Sequence, residues 1–344
     1  MAFTLNKLSE LNAVSGNEDE ARLYIISEIK DKCDGITVDA LGNVIAYKRG
    51  ISQKKKIMLG TNMDEAGFIV SDITDTGYIK FKAVGSIDPR TLIAKRVVIG
   101  EDRIKGIIGL KAIHLTTKEE REKAVKLSDM YIDIGAKNKK KARKKVKKGD
   151  YITFDTVFGT MGECVKGKAL DRFGTACVME AMEQPPAYDT YFVFSAQREI
   201  PCGIMGRGMR TAAYRIQPDY VFIIDTVDTA DGYKSERPNA VLGGGAVIEY
   251  MDRTSIADTR LTAAVAKLAA KTGIKTQSKT SSVMSSITGA AAQAASGAAA
   301  ACIGIPCRYS HTPVSIMNKN DINAVTALCS AVVRESDVIT DEAS

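Results

Sequence analysis

Residues 1–67 and 165–344 alternate helical and strand patterns, which predicts an α/β domain: a mixed, mostly parallel sheet with helices on both faces. Residues 68–164 read instead as short strands broken by turn signals, which predicts a small β-barrel inserted into that domain. Composition is the third observation. The chain has 344 residues, 45% apolar and 26% charged, a globular balance that excludes disorder, collagen and coiled-coil readings. At roughly 150 residues per domain the length suits two domains with ample core.

The elements follow in order. Met1–Lys7 runs straight into an amphipathic pattern containing Glu10. No apolar run approaches a secretory leader or the ~20 residues of a membrane span, so the expected location is cytoplasmic, with no membrane contact. Ser15-Gly16-Asn17-Glu18 has capping-box spacing, and Ala21, Tyr24, Ile25 and Ile29 recur behind it at helical intervals. Val38–Tyr47, around Leu41-Gly42-Asn43, and then Ile57–Gly60 read as strands. In the middle, turn signals at 75–77, 100–102, 105–106 and 149–150 separate period-two segments such as Tyr78–Phe81 and Tyr151–Phe154. Beyond it, strand-like Tyr191–Ser195, Tyr220–Ile224 and Ala301–Ile305 alternate with helical stretches. These are Phe173–Glu183, Ile204–Tyr214, Ser255–Lys271, an Ala-rich stretch near Ala290–Ala301, and Asp321–Arg334.

Charge is uneven. The net charge is +7, yet Lys137–Lys148 alone holds nine Lys/Arg and no acid, leaving −2 for the rest. The run has no aromatic residue to stack on bases, so nucleic acid is not an expected partner. It reads as a solvated helix leading into the Gly149-Asp150 turn, and it suits acidic peptides or a partner surface. The seven cysteines are scattered, odd in number and free of any Cys-x-x-Cys pair, as expected of reduced thiols. With only two histidines, His114 and His311, a His-containing metal site must use one of them.

In open α/β sheets the ligand site forms at the carboxyl ends of strands. Polar residues cluster there: Asp64 and Glu65 after the third strand, Asp171 opening the second half, Arg198-Glu199 and Asp225 after two more strands, and His311 after the last. Carboxylates with an imidazole at strand ends make a candidate metal site.

With these residues in view, the sequence resembles the tetrahedral-shell (TET) metallo-aminopeptidases of metallopeptidase family 42, the glutamyl aminopeptidase and cellulase M type. Matching segments include Val14-Ser-Gly16, Asp39-Ala-Leu-Gly-Asn43, Met63-Asp-Glu-Ala-Gly-Phe68, Val84-Gly85, Lys168-Ala-Leu-Asp171 and Arg308-Tyr-Ser-His311. The resemblance implies a co-catalytic zinc peptidase-like domain at 1–67 and 165–344. It also implies a β-rich dimerisation domain at 68–164 and shells of up to twelve subunits. It implies two metal ions that polarise a peptide carbonyl and acidify a bridging water, with a Glu as general base. Carried over, Asp171 falls at the bridge, Glu199 and His311 at one metal and Asp225 at the other. Asp64 falls at the carboxylate that orients a strand-end His.

Four departures accompany those matches. Asn62 replaces the metal-ligand His, and Arg198 replaces the general-base Glu. A guanidinium cannot accept the water's proton. Leu170-Asp171-Arg172 has one Asp where the family has two, and Ser285–Gly289 replaces a Gly-Gly-Thr-Asp-Ala loop. Crowded carboxylates repel unless cations neutralise them, so Arg198 is expected to pair with Asp225 or Glu199 in place of a metal. The expected function is a catalytically impaired or inactive aminopeptidase homologue, a non-catalytic subunit or peptide binder, with at most one zinc or cobalt ion per chain or none. The expected assembly is a homo-oligomer, from dimer to dodecameric shell, or one mixed with an active relative. The alternative is an active metal-dependent aminopeptidase on a mononuclear site of Asp171, Glu199 and His311. Glucanase chemistry needs an acid and a base free to titrate, whereas these acids suit cations. His114 is expected to pack at the domain junction, Cys202 to be a buried thiol, Ser195 and Ser310 to be structural, and Arg308-Tyr309 to shape the mouth of the site.

Overall fold

Alternation along each central strand decides the layers. In Tyr220–Asp228, Phe222 and Ile224 pack into one apolar layer, Val221 and Ile223 into the other; Ile57 and Leu59 oppose Met58 in the same way. Strands buried on both faces read as continuous apolar runs, and helices must cover both sides. One side carries helices Asp19–Ile29, Gly174–Ala181, Thr259–Lys271 and Lys319–Arg334; the other carries Arg207–Ile216 and Thr288–Ala292. Phe192, Phe194 and Phe222 are fully enclosed, each worth about 1.5–3 kcal/mol of burial.

This computed structural model describes residues 2–200, 206–229, 231–232, 240–280 and 286–343. Among them the main sheet has eleven strands. Its centre, Tyr188–Ser195, Ser52–Asn62, Tyr220–Asp228 and Ala299–Arg308, runs parallel, so four carboxyl ends converge. The flanking strands join this centre by antiparallel pairing, except Thr276–Thr280, which runs parallel to Ala246–Met251. Six further strands close a barrel in the order Gly67–Ile73, Ile79–Val84, Tyr131–Asp133, Ile104–Gly109, Arg96–Ile99, Tyr151–Phe154. In its core Phe68 meets Phe81 and Phe154 edge-on at 5.0 and 5.5 Å. The following hairpin, Gly159–Met161 and Cys164–Gly167, belongs to the main sheet.

Several elements differ from the sequence expectation. The Ala-rich helix stops at Ala292; Gly297, at φ +89, turns the chain, and Ala299–Ala301 open a strand. Alanine's helix propensity is a weak prior, and pairing of Ala300 and Ala301 with Val221 and Phe222 overrides it. Residues 35–48 form a hairpin, Gly35–Val38 and Val44–Lys48, around Gly42 at φ +88. The basic run is helical only over Lys139–Ala142. No helix among the described residues is long and apolar enough to cross a membrane.

Candidate metal centre and its arginine

The four parallel carboxyl ends deliver most of the site. Ser195, last in its strand, pairs in register with Asn62, last in the next, and Asp225 lies near the end of the third. Beyond Ser195 the backbone turns through Gln197 at φ +56, which swings Arg198 and Glu199 over the strand ends. His311, at φ +54, follows the fourth strand, and Asp171 sits in the short 3-10 turn Leu170–Phe173 after Ala169 at φ +52. Non-glycine residues in this region of φ are uncommon, and three of them here turn the chain into one cluster. Asn62, Asp64, Asp171, Arg198, Glu199 and Asp225 are all buried.

Arg198 occupies the middle. One guanidinium nitrogen donates to Asp225 Oδ1 at 3.0 Å, and the other donates to Glu199 Oε1 and lies 3.2 Å from His311 Nε2. His311 Nε2 is itself 3.1 Å from Glu199 Oε1. A guanidinium only donates and a carboxylate only accepts, so that one ring nitrogen cannot satisfy both neighbours. The imidazole's ionisation follows Glu199, which raises its pKa to about 9 against the opposing effect of burial. Protonated, it donates to Glu199 and meets Arg198 as a like charge.

The acids diverge. Burial alone would raise Glu199, but His311 and Arg198 hold it down at about 2. Asp171 is raised to about 6 by burial and by Glu199. Asp64 is raised to about 7, again by burial first and Glu199 second, although it accepts hydrogen bonds from Ser15 Oγ and from Glu199 N at 3.1 Å. Arg198 lies well above its ordinary value: burial lowers it, but Asp225 and Glu199 raise it further.

These contacts decide which ions the residues fit. Asp171, Glu199 and His311 each bring a ligand atom within 4.8 Å of the others. Asp171 Oδ2 and Glu199 Oε2 are buried without a hydrogen-bond donor, and a cavity of about 10 Å³, room for one water-sized body, touches Asp171 and His311. One divalent ion fits this set. A pair does not. Both oxygens of Asp225 are engaged, Oδ1 by Arg198 and by Thr226 N at 2.7 Å, Oδ2 by Ile287 N at 3.2 Å. Asn62 turns its amide nitrogen to Asp64 O at 3.1 Å, leaving only a neutral oxygen as a potential ligand.

Residues 42–328 match the family described as M42 glutamyl aminopeptidase. The chain belongs to this family. A protein of Acetivibrio thermocellus whose name assigns it provisionally to the aminopeptidases is 38% identical over 332 residues, covering 95% of this chain and 97% of its own. Aminopeptidase APDkam598 from Desulfurococcus kamchatkensis superposes with a TM-score of 0.92 at 30% identity, covering 98% of this chain and 96% of that one. The TET1 peptidase of Pyrococcus horikoshii, which can assemble into a tetrahedron or a large octahedral shell, gives 0.85 at 30% identity with 97% and 99% covered.

Within the M42 frame some residues acquire roles that sequence reasoning did not assign. Ser15 and Glu18 form no capping box. Ser15 donates to Asp64, while Glu18 accepts from Gln197 N at 3.0 Å and Gly16 N at 2.7 Å, bracing the loop that carries Arg198. The Ser-x-x-Glu spacing was the signal, but a helix cap explained it equally well. Gly85, on the barrel, stands against the centre: a Cβ there would lie 2.9 Å from Glu199 Oε2. Asn43 accepts from Ala196 N at 2.8 Å and fixes the same strand end. His114 is not packed at the junction but exposed in the 3-10 turn Ile113–Leu115. Arg308 clasps Asp231 at 2.8 and 2.6 Å, Tyr309 is exposed, and Ser310 donates to Asp228. Ser195 is buried with its hydroxyl unpartnered. Cys202 and Ser285 lie outside the described residues.

Proposed function

We propose that this M42 family member does not hydrolyse peptide bonds and serves as a peptide-binding, non-catalytic subunit of an oligomer. One observation carries the reading: the Arg198 guanidinium bridges Asp225 and Glu199, supplying a positive charge that needs no metal. Arg198 also occupies the general-base position implied by the family pattern, and losing a general base typically lowers the rate by about 10²–10⁴-fold. The barrel within 68–164 would carry dimerisation, and shells like that of the Pyrococcus relative, homomeric or mixed with an active relative, are the corresponding assemblies. A reducing, cytoplasmic setting agrees with the free thiols of the six described cysteines.

A second reading keeps hydrolysis on one ion held by Asp171, Glu199 and His311. The unpartnered oxygens of Asp171 and Glu199 favour it. An ion there, zinc or cobalt, would polarise a carbonyl and acidify a bound water. Metal content by plasma mass spectrometry after dialysis against each metal, beside leucine- and glutamate-anilide assays, separates the two. At most one ion without turnover supports the inactive subunit. One ion with slow turnover lost in His311→Ala supports the mononuclear enzyme, and two ions with turnover overturn both.

A further inference from the structure

The basic run has no part in the metal centre, yet the fold presents it firmly. Ala142 and Val146, one helical turn apart, are buried in the barrel core and pin the ribbon between them. Gly149 N donates to Val70 O at 3.0 Å, and Lys147 N donates to Asp150 Oδ2 at 2.8 Å. Only Lys139 and Lys148 pair with acids, Asp75 at 3.0 Å and Asp72 at 2.9 Å; the other seven cations have no carboxylate partner among the described residues.

Three of those seven, Lys144, Lys145 and Lys147, line a cavity of about 390 Å³ together with Glu101, Asp102 and Asp150, the last already accepting from Lys147 N. That volume lies in the ligand-pocket range of roughly 300–1,000 Å³. Cations and acids share this cavity, but no ion pair closes across it among the described residues. Through Asn17, Gly100, Glu101 and Tyr151 it continues into a second hollow of about 180 Å³, where Val14 and Val98 add apolar surface and the acids Asp19 and Glu20 are already paired with Arg22 and Arg103. The groove thus has a cationic end at the lysines and an acidic end at Glu101 and Asp102, which have no ion-pair partner among the described residues, along the seam between the N-terminal segment and the barrel.

A ligand that satisfies both ends carries carboxylates and an ammonium. We propose that this groove binds acidic peptides, their carboxylates on Lys144, Lys145 and Lys147 and their free amino terminus toward Glu101 and its acidic neighbours. Lysine ammonium is a point charge that accepts carboxylates in any orientation. A polyphosphate or nucleic acid fits less well. It has no cation for the acidic end, and Tyr151 is the single aromatic in the lining on which a base could stack. The groove is separate from the metal centre, so the proposal stands whether or not that centre hydrolyses peptides.

The test is fluorescence anisotropy on the full chain with a hexaglutamate peptide, amino terminus free and fluorophore at the carboxyl end. It is run with EDTA at about 25 mM salt, where screening reaches about 20 Å. Mass spectrometry of the recovered peptide confirms that it is uncut. Replacing all three lysines by alanine is expected to weaken binding about tenfold, since each exposed ion pair contributes a factor of roughly 1.4–5. Acetylating the peptide's amino terminus should weaken it about two- to threefold, and Glu101→Lys with Asp102→Lys should abolish that sensitivity. Lys137→Ala with Lys140→Ala, exposed cations of the same run outside the groove, should leave binding nearly unchanged. Undiminished binding by the triple variant overturns the proposal, as does an oligouridylate that binds as tightly through the same lysines. Weakening by Lys137→Ala with Lys140→Ala as large as by the triple variant would also overturn it, by placing the peptide on the run at large and not in the groove.

Discussion

Replacing Arg198 by alanine tests the centre most directly. The variant leaves Glu199 and Asp225, both buried, without the guanidinium that bridges them. Breaking a buried ion pair by removing one partner costs about 3–5 kcal/mol, because the remaining charge stays uncompensated. Unfolding entropy of about 2.1 cal/mol/K per residue gives about 0.7 kcal/mol/K for a chain of 344 residues, so the melting temperature should fall by about 4–7 °C in EDTA. Zinc should then do what the guanidinium did. At a hundredfold excess over its Kd an ion returns about 2.7 kcal/mol, or about 4 °C. The assay is differential scanning calorimetry with EDTA or zinc, beside plasma mass spectrometry of the dialysed protein. Arg198→Lys should fall between parent and alanine variant, since an ammonium cannot span both carboxylates as a planar fork does. If Arg198→Ala melts with the parent in EDTA and zinc stabilises it no more than the parent, the guanidinium is not what neutralises these acids.

Two further outcomes follow from the same geometry. His311 has its pKa raised from 6.5 to about 9, so its contribution to stability is complete below pH 6.5 and is lost as pH rises through 9. The loss is on the order of 3 kcal/mol; urea midpoints in EDTA should diverge between parent and His311→Gln at pH 6 and converge above pH 9, and the opposite trend would refute the pairing with Glu199. Gly85→Ala would bring a Cβ to 2.9 Å from Glu199 Oε2 at a backbone φ of +93. It should lower the melting temperature and abolish uptake of a single zinc ion, while Val84→Ala should do neither; unchanged zinc uptake in Gly85→Ala would show that Glu199 Oε2 is not a ligand.

Arg198 and Asn62 stood out in the sequence only against the pattern of the resembled family, where a guanidinium cannot be a base and an amide is a poor zinc ligand. The α/β architecture was legible because strands enclosed on both faces must be apolar throughout, as Val221–Ile224 is. What escaped were contacts between distant segments. Nothing local in Ser286–Gly289 foretells that Ile287 N donates to Asp225, and Ser15 and Glu18 look like a helix cap until Asp64 and Gln197 arrive from elsewhere. Strands Ala246–Met251 and Thr276–Thr280 escaped for a related reason. The second is largely polar, and its single buried residue is Lys279, paired with Glu249.

The two substitutions at the centre are coupled by charge, which makes a final prediction possible. Asn62→His alone supplies an imidazole, but Arg198 still neutralises Asp225 and Glu199, so no additional ion is needed. Arg198→Glu alone adds another carboxylate to Asp171, Glu199 and Asp225 and removes their cation; such a cluster repels itself unless it gathers ions or protons. It does so with only an amide at residue 62. The double variant has both the nitrogen ligand and the unneutralised acids. It should therefore hold two zinc ions per chain where each single variant holds at most one. Its stability in zinc should exceed the sum of the single effects by about 0.5–3 kcal/mol, the coupling expected of residues sharing one network. Anilide hydrolysis should appear in the double variant alone, because it alone places a carboxylate at 198 and an imidazole at 62. Ion count and activity report different things here. Two ions without turnover would leave the charge argument standing and trace the remaining defect to the Ile287 amide on Asp225. Two ions in either single variant would break the coupling on which the argument rests.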